Sequence, residues 1–276
     1  MGARPGALNA DIQNLDEIDT VCFVLRMPIR AVSLDFGWTL AYPRQSMWEI
    51  LAEVCGEAGT VASPAAIESF VRSVWSVGQQ RAEEELRKGV EYSDSDEQFN
   101  AQFRFLGELV FQQLGVCGER EALLGEFFRR FWNPEHWSLF SDVKDAVRML
   151  RAKGLRVGVT SNAPSNMPVL LERLDLLDRL DFVVVSAAEG VRKPDKRIFV
   201  RALRRAGVQA DETVHLGDMY VEDLLGGRNA GLATFLMERG KHALFPSFRE
   251  SEGREVLEGE IVQDLEQFVQ RVLDRL

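Results

Sequence analysis

With 276 residues the chain is long enough for one large domain, or for a core with a smaller insertion, around a sizeable hydrophobic centre. A hydrophobic share of 46% with 28% charged residues is that of an ordinary globular protein, and the net charge of −10 argues against general binding to nucleic-acid phosphates or anionic membranes. Cys22, Cys55 and Cys117 are too few and too far apart for a zinc spacing or a disulfide framework, which fits a reducing cytoplasm, and no apolar run approaches the ~20 residues of a membrane span.

Residues 1–26 are mixed and polar apart from one apolar patch at 21–25. The patch is shorter than the ~7–15 residues of a secretory core and has acidic flanks, so a signal peptide is rejected. A disordered extension is expected here, or a start site placed upstream of Met27. The run 31–34 then reads as a buried parallel strand, broken at Gly37, which leaves Asp35 where the strand opens into a loop. In open α/β sheets the carboxyl ends of strands border the ligand crevice. A carboxylate there binds a metal or attacks an electrophile, and the plain alternative is a turn or helix cap.

Residues 44–137 change rhythm to helix. Trp48, Leu51, Ala52 and Cys55 recur at helical spacing; Ser63-Pro64 reads as an N-cap and first helical residue, followed by Ile67, Phe70, Val71, Val74 and Trp75 on one face. A third helix carries Phe103, Leu106, Val110 and Leu114, and a fourth spans 121–132 and stops before Asn133-Pro134. The aromatics here read as core. Beyond Trp137 the apolar runs 155–159, 182–185, 213–216 and 233–237 alternate with helical segments 142–153, 164–177, 196–206 and 221–230, and a last helix is expected over 261–276. That alternation means βαβ units and a parallel sheet with helices on both faces, of which the run 31–34 is the first strand.

Three further strand ends carry residues suited to chemistry. Thr160-Ser161-Asn162 offers hydroxyls, an amide and backbone N–H groups to an anion. Lys193 stands beside a proline just before a helix, placed either on the surface or as a clamp on a phosphoryl oxygen. The run 215–223 ends the fourth core strand with Gly217, Asp218, Glu222 and Asp223, a density of acids that repels itself unless a cation or proton intervenes. With Asp35 nearby these oxygens suit Mg²⁺. His215, inside a strand, reads as a packed core histidine.

Asp35 with Thr39, Ser161 with Asn162, Lys193, and Gly217-Asp218 with Asp223, in that order and on those elements, resemble the ordered signals of the haloacid dehalogenase (HAD) superfamily, in the subfamily with a helical cap inserted after the first strand. The resemblance spans residues 30–237. It implies a Rossmann-like core formed by 27–43 and 138–276, a cap at 44–137, and spatial strand order 5-4-1-2-3, which puts Asp35 beside Asp218. It also implies that Asp35 attacks phosphorus to form an aspartyl-phosphate. Mg²⁺ would be held by Asp35, the Gly37 backbone carbonyl and Asp218, with Asp223 as ligand or as orienter of the others. Thr39, Ser161, Asn162 and Lys193 would hold the phosphate of a small phosphorylated metabolite.

One position departs from the pattern. Family phosphatases usually carry a second Asp two residues after the nucleophile as general acid and base, and here that position is Gly37. Glu222, Tyr42, Arg44 and His136 are candidate substitutes. Gly37 also keeps open a non-catalytic binding or regulatory protein of the same family. C–halogen cleavage and phosphonate cleavage, the latter with Lys88 as the Schiff-base lysine, are further alternatives. Cap hinges are expected near Tyr42-Pro43 and Asn133-Pro134. The oligomeric state is not legible in the sequence.

Overall fold

The computed structural model describes residues 28–99, 101–240 and 258–276. The expected N-terminal extension lies outside the described residues. In chain order the elements are β1 (Ala31–Leu34), β2 (Ala41–Pro43), α1 (Met47–Glu57), α2 (Pro64–Arg87), α3 (Ala101–Gln113), α4 (Arg120–Phe131), β3 (Trp137–Leu139), α5 (Val143–Ala152), β4 (Arg156–Ser161), α6 (Met167–Arg173), β5 (Phe182–Val185), α7 (Ser186–Glu189), α8 (Lys196–Ala206), β6 (Thr213–Gly217), a π-helical turn (Tyr220–Leu225), α9 (Gly226–Asn229), β7 (Ala233–Met237), β8 (Ile261–Val262) and α10 (Leu265–Leu273).

All six strands of the main sheet are parallel, in the order β5-β4-β1-β6-β7-β8. Its first five positions are the expected five-strand order read from the other edge. The correction is at the far end, where Ile261 and Val262 pair with Leu236 and Met237 as a sixth strand instead of opening the last helix. Two residues are too few to show a strand period, and Asp264 caps the helix only afterwards by accepting from the Gln267 N–H. β1 is central and its four residues are buried, as a strand paired on both sides and covered on both faces must be. α8 and α10 turn apolar stripes toward the sheet (Ile198, Phe199 and Ala202; Leu265, Phe268, Val269 and Val272).

Helices α1–α4 lie between β2 and β3, which pair antiparallel as a two-stranded ribbon. Tyr42 and Pro43, near which a cap hinge is expected, lie in that ribbon opposite Ser138 and Trp137. α1 starts with a full capping box, Ser46 and Glu49 bonding each other's backbone N–H, and α2 starts as expected with Ser63 as cap and Pro64 first. The segment after α2 runs back onto the sheet side of the molecule. There Asp94 accepts from the Ser186 hydroxyl (2.6 Å), Asp195 accepts from the Tyr92 N–H (3.1 Å) and Asp96 accepts from the Ser165 N–H (2.8 Å). No described helix is long and apolar enough to cross a membrane.

Candidate active site

The register places the site. Leu34 lies opposite Val159 of β4 and Leu216 of β6, so the residues that follow all three strands emerge at one edge. Asp35, Ser161, Asn162 and Asp218 line one pocket there, together with Gly37, Lys193, Arg192, Glu222 and Met219. Trp38, Phe103, Phe131 and Trp132 supply its apolar wall. Lys193, 2% exposed, donates to Asp35 Oδ1 at 2.6 Å and also to Asp223 Oδ1. Asn162 fixes the lysine's own backbone, its amide donating to the Lys193 carbonyl (3.1 Å) while its oxygen accepts the Lys193 N–H (2.8 Å).

Asp35, Asp218 and Asp223 each bring a carboxylate oxygen within 4.8 Å of the others. This oxygen-only donor set suits a hard divalent cation. Asp223, fully buried, is not part of the pocket lining. Its Oδ1 also takes a hydrogen bond from His215 Nε2 (2.9 Å), and its Oδ2 takes one from the Met219 N–H (3.0 Å). Its oxygens are thus largely engaged in holding Lys193 and the turn after β6. The turn requires glycine at 217, because a Cβ there would overlap the Asp223 carboxyl group. Beyond Met219 the backbone widens into the π-helical turn, which brings both Glu222 and Asp223 inside.

Not every expected residue converges. Thr39 is buried but does not line the pocket; its hydroxyl has no hydrogen-bond partner among the described residues, and its carbonyl accepts from Arg239 (2.7 Å). The helix after Ser161 begins at Met167 rather than at 164, so the anion-facing groups belong to the 161–163 loop. Of the substitutes for an acid at 37, Glu222 alone lines the pocket. Tyr42 packs on Phe140, Arg44 donates to the Ser138 hydroxyl and His136 bonds the Arg130 carbonyl. Lys88 is exposed and pairs with Glu84 on the surface of α2, which leaves phosphonate chemistry without its lysine.

Sequence reasoning missed a polar chain beneath the pocket. His215 Nδ1 lies 3.0 Å from the Ser33 hydroxyl, which donates to Thr160 (2.8 Å); all three are fully buried in strands. His215 is a packed histidine, edge-on to Phe199, but it also positions Asp223. Three polar residues inside apolar strands were the available signal. Also missed was the aromatic wall, in which Trp132 stacks on Trp137 (5.2 Å, 19°) and Trp38 on Phe131 (6.1 Å, 21°). Trp38 has a left-handed backbone (φ 51°), a conformation that bulky residues adopt at a cost and that concentrates at functional sites. Gly37 next to it is not forced by space, since a Cβ would meet nothing closer than the Trp137 ring at 3.8 Å.

The carboxylates titrate in opposite directions. Burial raises Asp35, and the charge of Asp223 adds to this, while Lys193 and the Ser161 hydroxyl oppose it. Asp218 is pushed well above the usual carboxylate range by burial, then by Asp35 and Asp223. Glu222 is pushed up to about 6, chiefly by burial. For Asp223 burial works the same way, but Lys193 and His215 outweigh it and hold the carboxyl at about 2.

Raised and lowered groups give opposite pH dependences. Glu222 keeps a proton that the unfolded chain gives up above about pH 4, and Asp35 and Asp218 are shifted in the same direction, so without a divalent cation stability should fall as pH rises from about 4 through about 6. The Glu222 shift alone is worth about 2 kcal/mol across that window. Asp223 contributes stability that is complete at neutral pH and lost only as pH falls from about 4 toward 2. Melting temperatures at pH 5 and pH 8 check this: a clear decline with pH in EDTA, flattened by saturating MgCl₂, is the expected result.

The family model for haloacid dehalogenase-like hydrolases matches residues 36–231. Among curated proteins, the haloacid dehalogenase-like hydrolase domain-containing protein 3 of Danio rerio is 32% identical over 220 residues, 78% of this chain and 87% of its own length. The glyceraldehyde 3-phosphate phosphatase of Methanothermobacter thermautotrophicus is 30% identical over 181 residues, 64% of this chain and 76% of its own. Among solved structures, a HAD hydrolase from Bacillus subtilis bound to magnesium superposes with a TM-score of 0.62 at 18% identity, covering 89% of this chain and 99% of that one. At that identity the likeness is one of fold.

Proposed function

The chain belongs to the haloacid dehalogenase-like hydrolase family, and from that premise we propose that it is a Mg²⁺-dependent phosphatase of a small phosphorylated metabolite, working through an aspartyl-phosphate on Asp35. The observation that carries this reading is the buried Asp35 carboxylate at the end of the central strand, 2.6 Å from the Lys193 ammonium and in reach of two further carboxylates. Asp35 attacks phosphorus, the bond to the leaving oxygen breaks as the Asp35–phosphorus bond forms, and water then cleaves the acyl phosphate. Lys193 balances charge on the phosphoryl oxygens, and Ser161 with the loop behind it donates hydrogen bonds to them. Asp35, the Gly37 carbonyl and Asp218 would hold the ion, with Asp223 behind them fixing Lys193. When bound, the ion screens the repulsion between a carboxylate nucleophile and an anionic ester. The cap, residues 44–137, brings Phe103, Phe131 and Trp132 over the ester, opposite Trp38, and limits its size.

Gly37 has no proton to give the leaving oxygen. Rates should therefore follow leaving-group stability, aryl esters exceeding alkyl esters by about 10²-fold or more. Phosphate release from p-nitrophenyl phosphate and from glyceraldehyde 3-phosphate, with MgCl₂ and with EDTA, is the test. Release that needs Mg²⁺ and favours the aryl ester is expected. No release from either overturns the reading and leaves a non-catalytic member of the family.

A further inference from the structure

We propose that Arg192 determines specificity in this pocket, binding a second acidic group, a carboxylate or a phosphate, on the non-reacting end of the substrate. This rests on the phosphatase reading above and adds to it the class of ester. Arg192 is 5% exposed, yet it forms no ion pair and no side-chain hydrogen bond with any described residue, and its Nε is buried without a partner. The Tyr92 ring lies beside it, its centroid 5.8 Å from the guanidinium carbon. A ring face attracts the charge but accepts no directed N–H bond to the fork. The rest of the fold does not treat buried cations this way. Lys193, the next residue, donates to two carboxylates, and Arg239, whose side chain is 7% exposed, bonds both Asp142 and the Thr39 carbonyl. A buried cation left without an acceptor is costly, and a ligand anion removes that cost.

The position of Arg192 names the ligand. Arg192 and Glu222 are the two residues shared by the acid-lined pocket and a second, larger cavity bounded by Gly78, Arg81, Ala82 and Tyr92. The guanidinium therefore stands where the pocket leads away from Asp35, at the end an ester directs its organic portion. A planar fork with free donors matches a carboxylate or phosphate bidentately. Three acids share its surroundings: Glu85 and Glu91, which line the larger cavity, pair with Arg81 and Arg197, and Glu222 does not reach ion-pair distance, its Oε2 having no partner among the described residues. Arg192 thus acts on Glu222 by charge at a distance, and its N–H donors are not taken by that carboxyl.

Two matched pairs of esters read this directly. Glycerol 3-phosphate and 3-phosphoglycerate differ only by an alcohol in place of a carboxylate; 3-hydroxypropyl phosphate and 1,3-propanediol bisphosphate differ by the second phosphate. In the wild type kcat/KM should favour the acidic member of one pair by about 30-fold, and that pair identifies the acid. Arg192→Gln should collapse that ratio to about 1, acting through KM; any loss common to both members cancels. Arg192→Lys keeps the charge without the fork and should retain part of the ratio, and it reads the same quantity if the glutamine variant does not fold. A wild type that cleaves p-nitrophenyl phosphate but favours neither acidic ester overturns this inference and leaves the phosphatase reading standing, as does an Arg192→Gln variant with the wild-type ratio. A wild type that cleaves no ester overturns both.

Discussion

Asp35→Asn is expected to lower kcat by at least about 10⁴-fold while leaving the fold as stable as before. The loss follows from the absence of an attacking oxygen, since an amide forms no acyl phosphate and the remaining groups can only bind the ester. The stability follows from where Asp35 sits. Burial and the charge of Asp223 raise its titration point above that of an unfolded carboxyl, so at neutral pH its ionised form works against folding. Asparagine has similar size and no charge. It keeps an oxygen for Lys193 and removes the repulsion from Asp223 and Asp218. In EDTA the variant should melt no lower than the wild type. With MgCl₂ the order should reverse, because the wild type regains a cation ligand that the variant lacks. Phosphate release and melting curves on the same samples separate a chemical lesion from an unfolded protein. A variant that hydrolyses esters at a tenth of the wild-type rate or better would remove Asp35 from the reaction.

Lys193→Met should be damaging in both respects. The ammonium is buried between Asp35 and Asp223, and those two charges outweigh burial to hold its pKa above the usual lysine value. Replacing it with an apolar side chain of similar length leaves both carboxylates buried without their cation. Breaking a buried pair in this way costs about 3–5 kcal/mol. Turnover should fall by about 10²–10³-fold besides, as when one donor to a developing oxyanion is removed. Denaturant unfolding in EDTA measures the first effect, and added MgCl₂ should recover part of it, because a divalent cation supplies the charge the acids have lost. A stability loss that MgCl₂ leaves unchanged would point to packing rather than charge as the role of this lysine.

The fold was largely legible because its main signals are long or strongly patterned. The alternation after residue 142 could only be a parallel sheet, and the amphipathic stripes of α8 and α10 face it as their spacing requires. Asp35, Ser161, Lys193 and Asp218 were legible for a related reason: each follows an apolar strand or opens a helix, and strand ends of a parallel sheet share one edge. Elements of two or three residues were not, so the β2–β3 ribbon and β8 went unseen. The π-helical turn is a matter of backbone pitch that composition does not encode, and it puts Asp223 under the pocket rather than in its lining. Trp132 and Arg192 belong to the site only through folding. One ends a helix some 100 residues after Asp35, and the other looks like one surface arginine among many until its burial is seen.

The chain from Asp223 through His215 and Ser33 to Thr160 has a further meaning. It anchors the Asp223 carboxylate, which holds Lys193, to three strands of the sheet interior rather than to loops, so the ordering of that group is completed when the sheet assembles. Inherited rigidity carries inherited fragility. A substitution at Ser33 or Thr160, out of reach of any ester, disturbs the same hydrogen bonds as one at the pocket rim, and natural variation in those strand interiors belongs with variation at the catalytic centre.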